Sequence, residues 1–338
     1  MGLGLALVGC GNRGVNQLAQ TLKRTNKLHI VAVCDVDAGR LEEAMRRLEV
    51  PGEQDHRRLL ERPEVDAVLV ATGVRWHAPV ALDAIAAGKH VFVEKPLADT
   101  PAAARKIAEA ARAKGVVGLV GYQQRMNPFA QALRAEVAAI EPVQALFTQQ
   151  RVPLMAQFFI PDHFGGILDT TTHTLDLALW TMGGTPEGVV SHVRRGTIQG
   201  DRTIEYASLV VDMDGGTRSV TVVTSMLGVA LPPVFQFVGA KGTLWSDNGR
   251  LVHIANHNGV TAPGPRNPDG LQQRTLEIAP AGDTTLALLE HFADLVRDPQ
   301  GTPRLGCTFE EGAWVVGVTA AMAAAEEQGR RVTLAELG

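Results

Sequence analysis

The chain has 338 residues, and 32 basic side chains against 36 acidic ones leave a net charge of −4. That length allows two cored domains, since single cores seldom grow past ~250 residues; no run of like charge could track a phosphate backbone or an anionic membrane, and no apolar run nears the ~20 residues that span a bilayer. Nucleic-acid and membrane partners are therefore excluded, and three scattered cysteines, Cys10, Cys34 and Cys307, build neither a disulfide framework nor a metal knuckle.

A reducing, cytoplasmic setting is the default expectation. LVGC (Leu7 to Cys10) looks like a lipoprotein cleavage box, but the residues before it lack both the charged and the apolar region of a signal peptide.

The first predicted element is the strand LGLALVG, which turns into GCGNRG and then into the amphipathic helix NQLAQTLKRT. G-x-G-x-x-G between strand and helix suits a dinucleotide: Gly9 for the tight turn, Gly11 for approach of a pyrophosphate, Gly14 for close helix packing. By itself the motif is also what a ligand-free glycine turn looks like. The second strand, HIVAVCDVD, ends at Asp35, about twenty residues on, where a carboxylate can hold ribose hydroxyls and repel a 2′-phosphate. This points to NAD over NADP, with nearby Arg40 working against that preference. Asp37 reads as the cap of the helix AGRLEEAMRRL.

Alternation continues through strand 65–72, helix 77–88, strand 89–93, helix 101–115 and strand 116–121. Unbroken apolar strands mean burial on both faces, hence a doubly wound parallel sheet with ligands beyond its carboxyl edge. Thr100, Pro101 and Gly115 frame the fourth helix. The carboxyl edge gathers Gly9, Gly11, Asn12, Arg13, Gly14, Asp35, Thr72, Gly73, Glu94 and Lys95 as cofactor contacts, followed by Tyr122 to Arg125.

Beyond Tyr122 the pattern changes to the helix PFAQALRAEVAAI, a strand into QQRVPL, a loop through Pro161, the helix carrying TTTHTLDLALWTM, and six strand-like runs joined by turns such as DGG and DNG. These imply a mostly antiparallel sheet with one face on helices and the other open. Asp169, His173 and Asp176 fall on one helical stripe, with Leu175, Leu179 and Met182 opposite. Three readings stand side by side: a solvated face, a Zn²⁺ or Mn²⁺ site lacking further ligands at the usual spacing, or a general base, His173, tuned by Asp169, with Asp176 accepting a substrate hydroxyl. Gln123, Arg125, Arg151, Gln157 and His163 are candidate cleft residues, and the closing helix FEEGAWVVGVTAAMAAAEEQ reads as core.

VGCGNRG, ATGVRWH, GKHVFVEKPLA, GYQQRMNP and GGILDTTTHTLDLALWTMGG together resemble the glucose-fructose oxidoreductase, inositol dehydrogenase and rhizopine-catabolism family of NAD(P)-dependent enzymes, over essentially the whole chain. The resemblance implies an α/β Rossmann domain over 1–121 and, over 122–338, an α+β domain with a large open-faced sheet that forms dimers or tetramers. It gives Lys95 of EKP to the substrate hydroxyl and nicotinamide edge, Asp169 and His173 to catalysis and substrate, and a cis bond to Lys95–Pro96. His77 stands where the family's histidine stands and so joins the cofactor contacts, although opening a helix suits it better to a structural role. Gly73 and Val74 replace the family's frequent proline and asparagine, which Arg75 or Trp76 would offset.

The implied function is an NAD-dependent oxidoreductase acting on a hydroxyl-bearing carbon of a sugar or polyol, with no resident metal. An NAD-dependent glycoside hydrolase that oxidises transiently, and a sensing regulator without catalysis, remain as alternatives.

Overall fold

The structure, a computed structural model, describes residues 2–150, 166–199, 202–226, 231–247, 250–255 and 272–337. The chain forms two compact units, one of residues 1–126 with 282–316 and the other of 127–281 with 317–338.

The first unit begins with β1 (Leu3–Val8), a π-helical stretch Asn12–Leu18 that runs into α1 (Ala19–Leu22), β2 (Leu28–Cys34) and α2 (Ala38–Leu48). A short edge strand and helix follow, β3 (Gly52–Glu53) and α3 (His56–Leu60), which sequence patterning did not reveal. Then come β4 (Ala67–Val70), α4 (His77–Ala86), β5 (His90–Val93), α5 (Pro101–Lys114) and β6 (Gly118–Val120). Every residue of β4 is buried, as the unbroken apolar run requires. The caps are those read from sequence. Asp37 accepts from Arg40 N at 2.9 Å, Thr100 from Ala103 N at 3.3 Å, and Gly115 closes α5 at φ 71°.

The second unit holds α6 (Pro128–Ala139), β7 (Pro142–Gln150), α7 (Gly166–Met182), β8 (Pro186–Gln199), β9 (Arg202–Met213) and β10 (Arg218–Met226). β11 (Leu231–Gly239), β12 (Gly242–Asp247), β13 (Arg250–Ala255) and β14 (Gln272–Leu276) complete the run. The chain then returns to the first unit as α8 (Thr284–Arg297) and β15 (Cys307–Thr308), and ends with α9 (Phe309–Gln328) and β16 (Val332–Thr333).

The first sheet has the order β15-β6-β5-β4-β1-β2-β3, parallel except for the pairing of β15 with β6. Strand order reverses between β1 and β4, the switch point where ligands of doubly wound sheets bind. The second sheet runs β14-β13-β12-β11-β7-β10-β9-β8-β16 and is antiparallel apart from the β7–β10 pair. α7 lies on β7, β9 and β10.

Residues 282–316 group with the first unit, whereas the division read from sequence placed everything after 121 in the second domain. Leu288, Leu289, Phe292 and Leu295 of α8 join the first unit's core, where Phe292 meets Phe92 edge-on with ring centres 5.9 Å apart. Burying that apolar stripe decides where α8 goes.

Candidate active site

At the glycine-rich turn, sterics assign each glycine its place. Gly9 has φ +104°, and a Cβ there would stand 2.5 Å from Ala71 O. A Cβ on Gly14 would lie 2.1 Å from Gly9 O, so only glycine lets the helix approach the strand end this closely. Gly11 is different, because a Cβ there meets nothing within 4 Å. Helix Asn12–Leu18 also starts without a side-chain cap. Open space beside uncapped helix N–H groups fits a pyrophosphate. Asn12 is exposed, its Oδ1 accepting from Asn16 Nδ2 at 3.0 Å.

Beside the turn lies a cavity of about 450 Å³ whose walls include Gly9, Gly11, Asp35, Arg40, Thr72 and Trp76. Gly73 and Arg75 line it too. The size suits one small-molecule moiety. Val36, 80 % exposed, and Trp76, 57 % exposed, are large apolar side chains on its walls, an arrangement that suits the face of a nucleobase. Asp35 is mostly covered: Oδ2 accepts from Cys10 N at 2.8 Å, and Oδ1 from Asp37 N at 2.9 Å and Arg40 Nη2 at 3.2 Å. The same pair raises the pKa of Arg40. Burial, reinforced for Cys10 by Asp35, pushes the Cys10 and Cys34 thiols up to about 12, which leaves them protonated and inert.

At the end of β5 the Lys95–Pro96 bond is cis, as the family resemblance implies. Glu94 is buried, and its Oε1 accepts from Arg13 Nε at 2.8 Å and is ion-paired with Nη2 at 2.7 Å. The other oxygen, Oε2, accepts from Lys95 N at 3.3 Å. Lys95 itself is half-buried.

Two of the sequence candidates are held by partners within the first unit. His77 is 2 % exposed, with Nδ1 2.8 Å from Pro96 O and Nε2 3.2 Å from Thr72 O, so its ring joins two backbone turns, the structural role that opening a helix suits. Burial pushes its pKa down, against the two carbonyls that favour the cation. Arg125 is 1 % exposed and ion-paired with Glu311 at 2.9 Å, which ties it into the framework of the first unit. Its neighbour Gln123 is half-buried, and its buried Oε1 has no hydrogen-bond partner among the described residues, so it can accept from a ligand hydroxyl.

In the second unit, α7 carries His173 half-buried and Asp176 at 1 % exposure, alongside buried Thr170, Thr171, Thr172 and Thr174. This polar segment is not a solvated face. Leu175, Leu179 and Met182 are buried as expected. Asp169 lies on α7, one turn before His173; its side chain, like Arg151, Gln157 and His163, lies outside the described residues.

Sequence reasoning missed Gln149, Glu205 and Thr224. Gln149 Oε1 accepts from Thr174 Oγ1 at 2.6 Å, and Glu205 and Thr224 are fully buried on β9 and β10. The signal was readable: stepping back by twos from buried Met213, Val211, Leu209 and Ala207 lands on Glu205, a charge at an inward position.

Two descriptions of one family match the chain. Residues 3–122 match "Oxidoreductase family, NAD-binding Rossmann fold" and residues 136–245 match "GFO/IDH/MocA C-terminal domain". An inositol 2-dehydrogenase of Pseudomonas fluorescens is 34% identical over 188 residues, 54% of this chain and 55% of that protein. The chain thus spans about half the length of such curated relatives. A myo-inositol 2-dehydrogenase of Thermotoga maritima is 28% identical over 263 residues, 74% of this chain and 77% of its own. Among solved structures, myo-inositol dehydrogenase from Lactobacillus casei in complex with NAD(H) and myo-inositol shares the fold at a TM-score of 0.76 and 19% identity, covering 98% of this chain and 97% of that one.

Proposed function

The chain belongs to the GFO/IDH/MocA family of oxidoreductases, and from that premise we propose that it moves a hydride between NAD and a hydroxyl-bearing carbon of a cyclic polyol or sugar, with inositols as the first substrates to try. The observation that carries this reading is the turn of the first unit, where the open side of Gly11 and the EKP residues are joined through Arg13 and Glu94. The relatives named inositol dehydrogenases support the substrate class.

Gly9, Gly11, Gly14 and the start of the following helix hold the phosphates, Asp35 takes ribose hydroxyls, and Val36 with Trp76 flanks the base. Bound NAD⁺ supplies the hydride acceptor. The chain's own task is orientation and proton handling. Lys95 places a cation where negative charge develops on the substrate oxygen. His173, with Asp169 before it on the helix, takes the hydroxyl proton. Gln123 and Asp176 are further hydroxyl partners.

Sheet positions facing away from α7 carry Val190, Val210, Val234 and Val238 at 49 %, 38 %, 46 % and 43 % exposure, and Val190 sits directly opposite Val210 in the β8–β9 ladder. An apolar sheet face of this kind supports association with a second copy, which light scattering of the purified protein reads directly.

The deciding experiment is a panel of inositols, sugars and sugar acids with NAD⁺ or NADP⁺, followed at 340 nm. Net NADH with at least one polyol is the expected result. NAD-dependent glycoside cleavage without net NADH would overturn the dehydrogenase reading in favour of a hydrolase.

A further inference from the structure

The Arg13 guanidinium is turned onto partners within the first unit. Nε donates to one oxygen of Glu94 at 2.8 Å, Nη2 is ion-paired with that same oxygen at 2.7 Å, and Nη1 donates to Gln17 Oε1 at 2.6 Å. Glu94 is 6 % exposed, so its carboxylate depends on that partner. One charge-assisted hydrogen bond, with a second guanidinium nitrogen ion-paired to the same oxygen, fixes a carboxylate's rotamer. The other oxygen holds the backbone N–H of Lys95, and it rests over Gly121, where any Cβ would come within 3.1 Å of it. Glu94 therefore sits in a slot with the glycine turn on one side, the lysine turn on the other and a bare glycine beneath.

We infer that Arg13 and Glu94 form a positioning pair that sets the backbone of Lys95 from the dinucleotide turn, so that the residue facing substrate is placed by the segment that holds the cofactor. This rests on the reading of Lys95 as a substrate-facing cation. In this role the pair works on the lysine turn, in place of the direct cofactor contacts expected of both residues from sequence. It acts through the Lys95 N–H, and its loss leaves the lysine present but misplaced, the kind of small displacement that lowers turnover without removing a catalytic group.

The test compares Arg13→Ala, Glu94→Gln and the double variant with the parent protein, using Arg13→Lys and Glu94→Asp should the first set fold poorly. Lysine acetylation by N-hydroxysuccinimidyl acetate, read by peptide mass at saturating NAD⁺, follows Lys95 with no substrate present; Lys89, held on Val65 O at 2.7 Å, is the internal reference. The Lys95 rate is expected to change at least ~5-fold relative to Lys89 in each single variant, and no further in the double, because the two side chains act as one unit. Added guanidinium should restore the parent rate in Arg13→Ala. The NAD⁺ dissociation constant should stay within ~3-fold, and with myo-inositol kcat should fall ~10-fold or more at nearly unchanged KM. An unchanged Lys95 rate, additive effects, or a ~10-fold loss of NAD⁺ affinity with Lys95 unaltered would each overturn the inference. If the parent protein oxidises no polyol, the proposed function fails, while the acetylation arm still decides the pair.

Discussion

Arg40 places Nη2 3.2 Å and Nε 3.4 Å from Oδ1 of Asp35, so the acid expected to greet a ribose is already partly neutralised by a cation from its own domain. These are the longest of the contacts on that carboxylate, and the Arg40 side chain is 54 % exposed. Ribose hydroxyls can displace it, and a 2′-phosphate can recruit it. Arg40→Ala is accordingly expected to weaken NADP binding ~10-fold, about 1.4 kcal/mol, while NAD binding changes less than ~3-fold. Fluorescence titration with each cofactor measures both; a selective loss of NAD affinity would mean that Arg40 serves to hold Asp35 in place.

Arg125 and Glu311 give a stability test. Glu311→Gln keeps the shape of the side chain that accepts from Thr308 N at 2.9 Å but leaves a buried guanidinium without its counter-charge. The expected loss is about 3 kcal/mol of folding stability. Denaturant unfolding checks it, and KM for polyol should be unaffected. A raised KM at full stability would return Arg125 to the substrate.

Lys95→Ala and His173→Ala are each expected to lower turnover ~10²-fold or more, the usual loss when a positioned acid, base or charge is removed. Steady-state rates on the substrate found by the panel measure this. Near-parental rates in either variant sink its assignment.

Among the described residues, three histidines shape the response to mild acid. Burial lowers the pKa of His77, His90 and His291 from an ordinary value of 6.5. For His90 the geometry shows the reason, since its Nδ1 accepts from Val117 N at 3.0 Å and a proton there would break that bond. The unfolded chain takes up these protons first, so their stabilisation is complete above pH ~6.5 and is lost as pH falls toward the folded values, at up to ~1.4 kcal/mol per pH unit for each ring. Asp55 and Glu336, held at about 2 by hydrogen bonds from Arg57 and Arg330, matter only below the ordinary carboxylate range. Melting temperature should therefore fall between pH 7 and 5.5, and His90→Asn should flatten that slope. An identical slope in the variant would remove His90 from the account.

Much of this was legible in the sequence because it is written locally. Strand burial, the caps at Asp37 and Thr100, and the glycine turn each depend on residues a few positions apart. The return of α8 and β15 was not, since an apolar stripe states that it must be buried but not against which core. The Arg13–Glu94 link spans 81 positions with no local mark at either end. The burial of Arg125 was hidden for a related reason: charge normally means surface, and only the fold supplies the Glu311 that makes burial tolerable.

The discontinuity of the first unit also has a consequence during synthesis. β1 to β6 leave the ribosome well before α8, and at ~5–20 residues per second the intervening 127–281 takes on the order of ten to thirty seconds to make. Through that interval the core around Phe92 lacks Phe292, and β6 lacks its neighbour β15. The nascent dinucleotide domain must wait with an open apolar flank, a surface for a chaperone to cover.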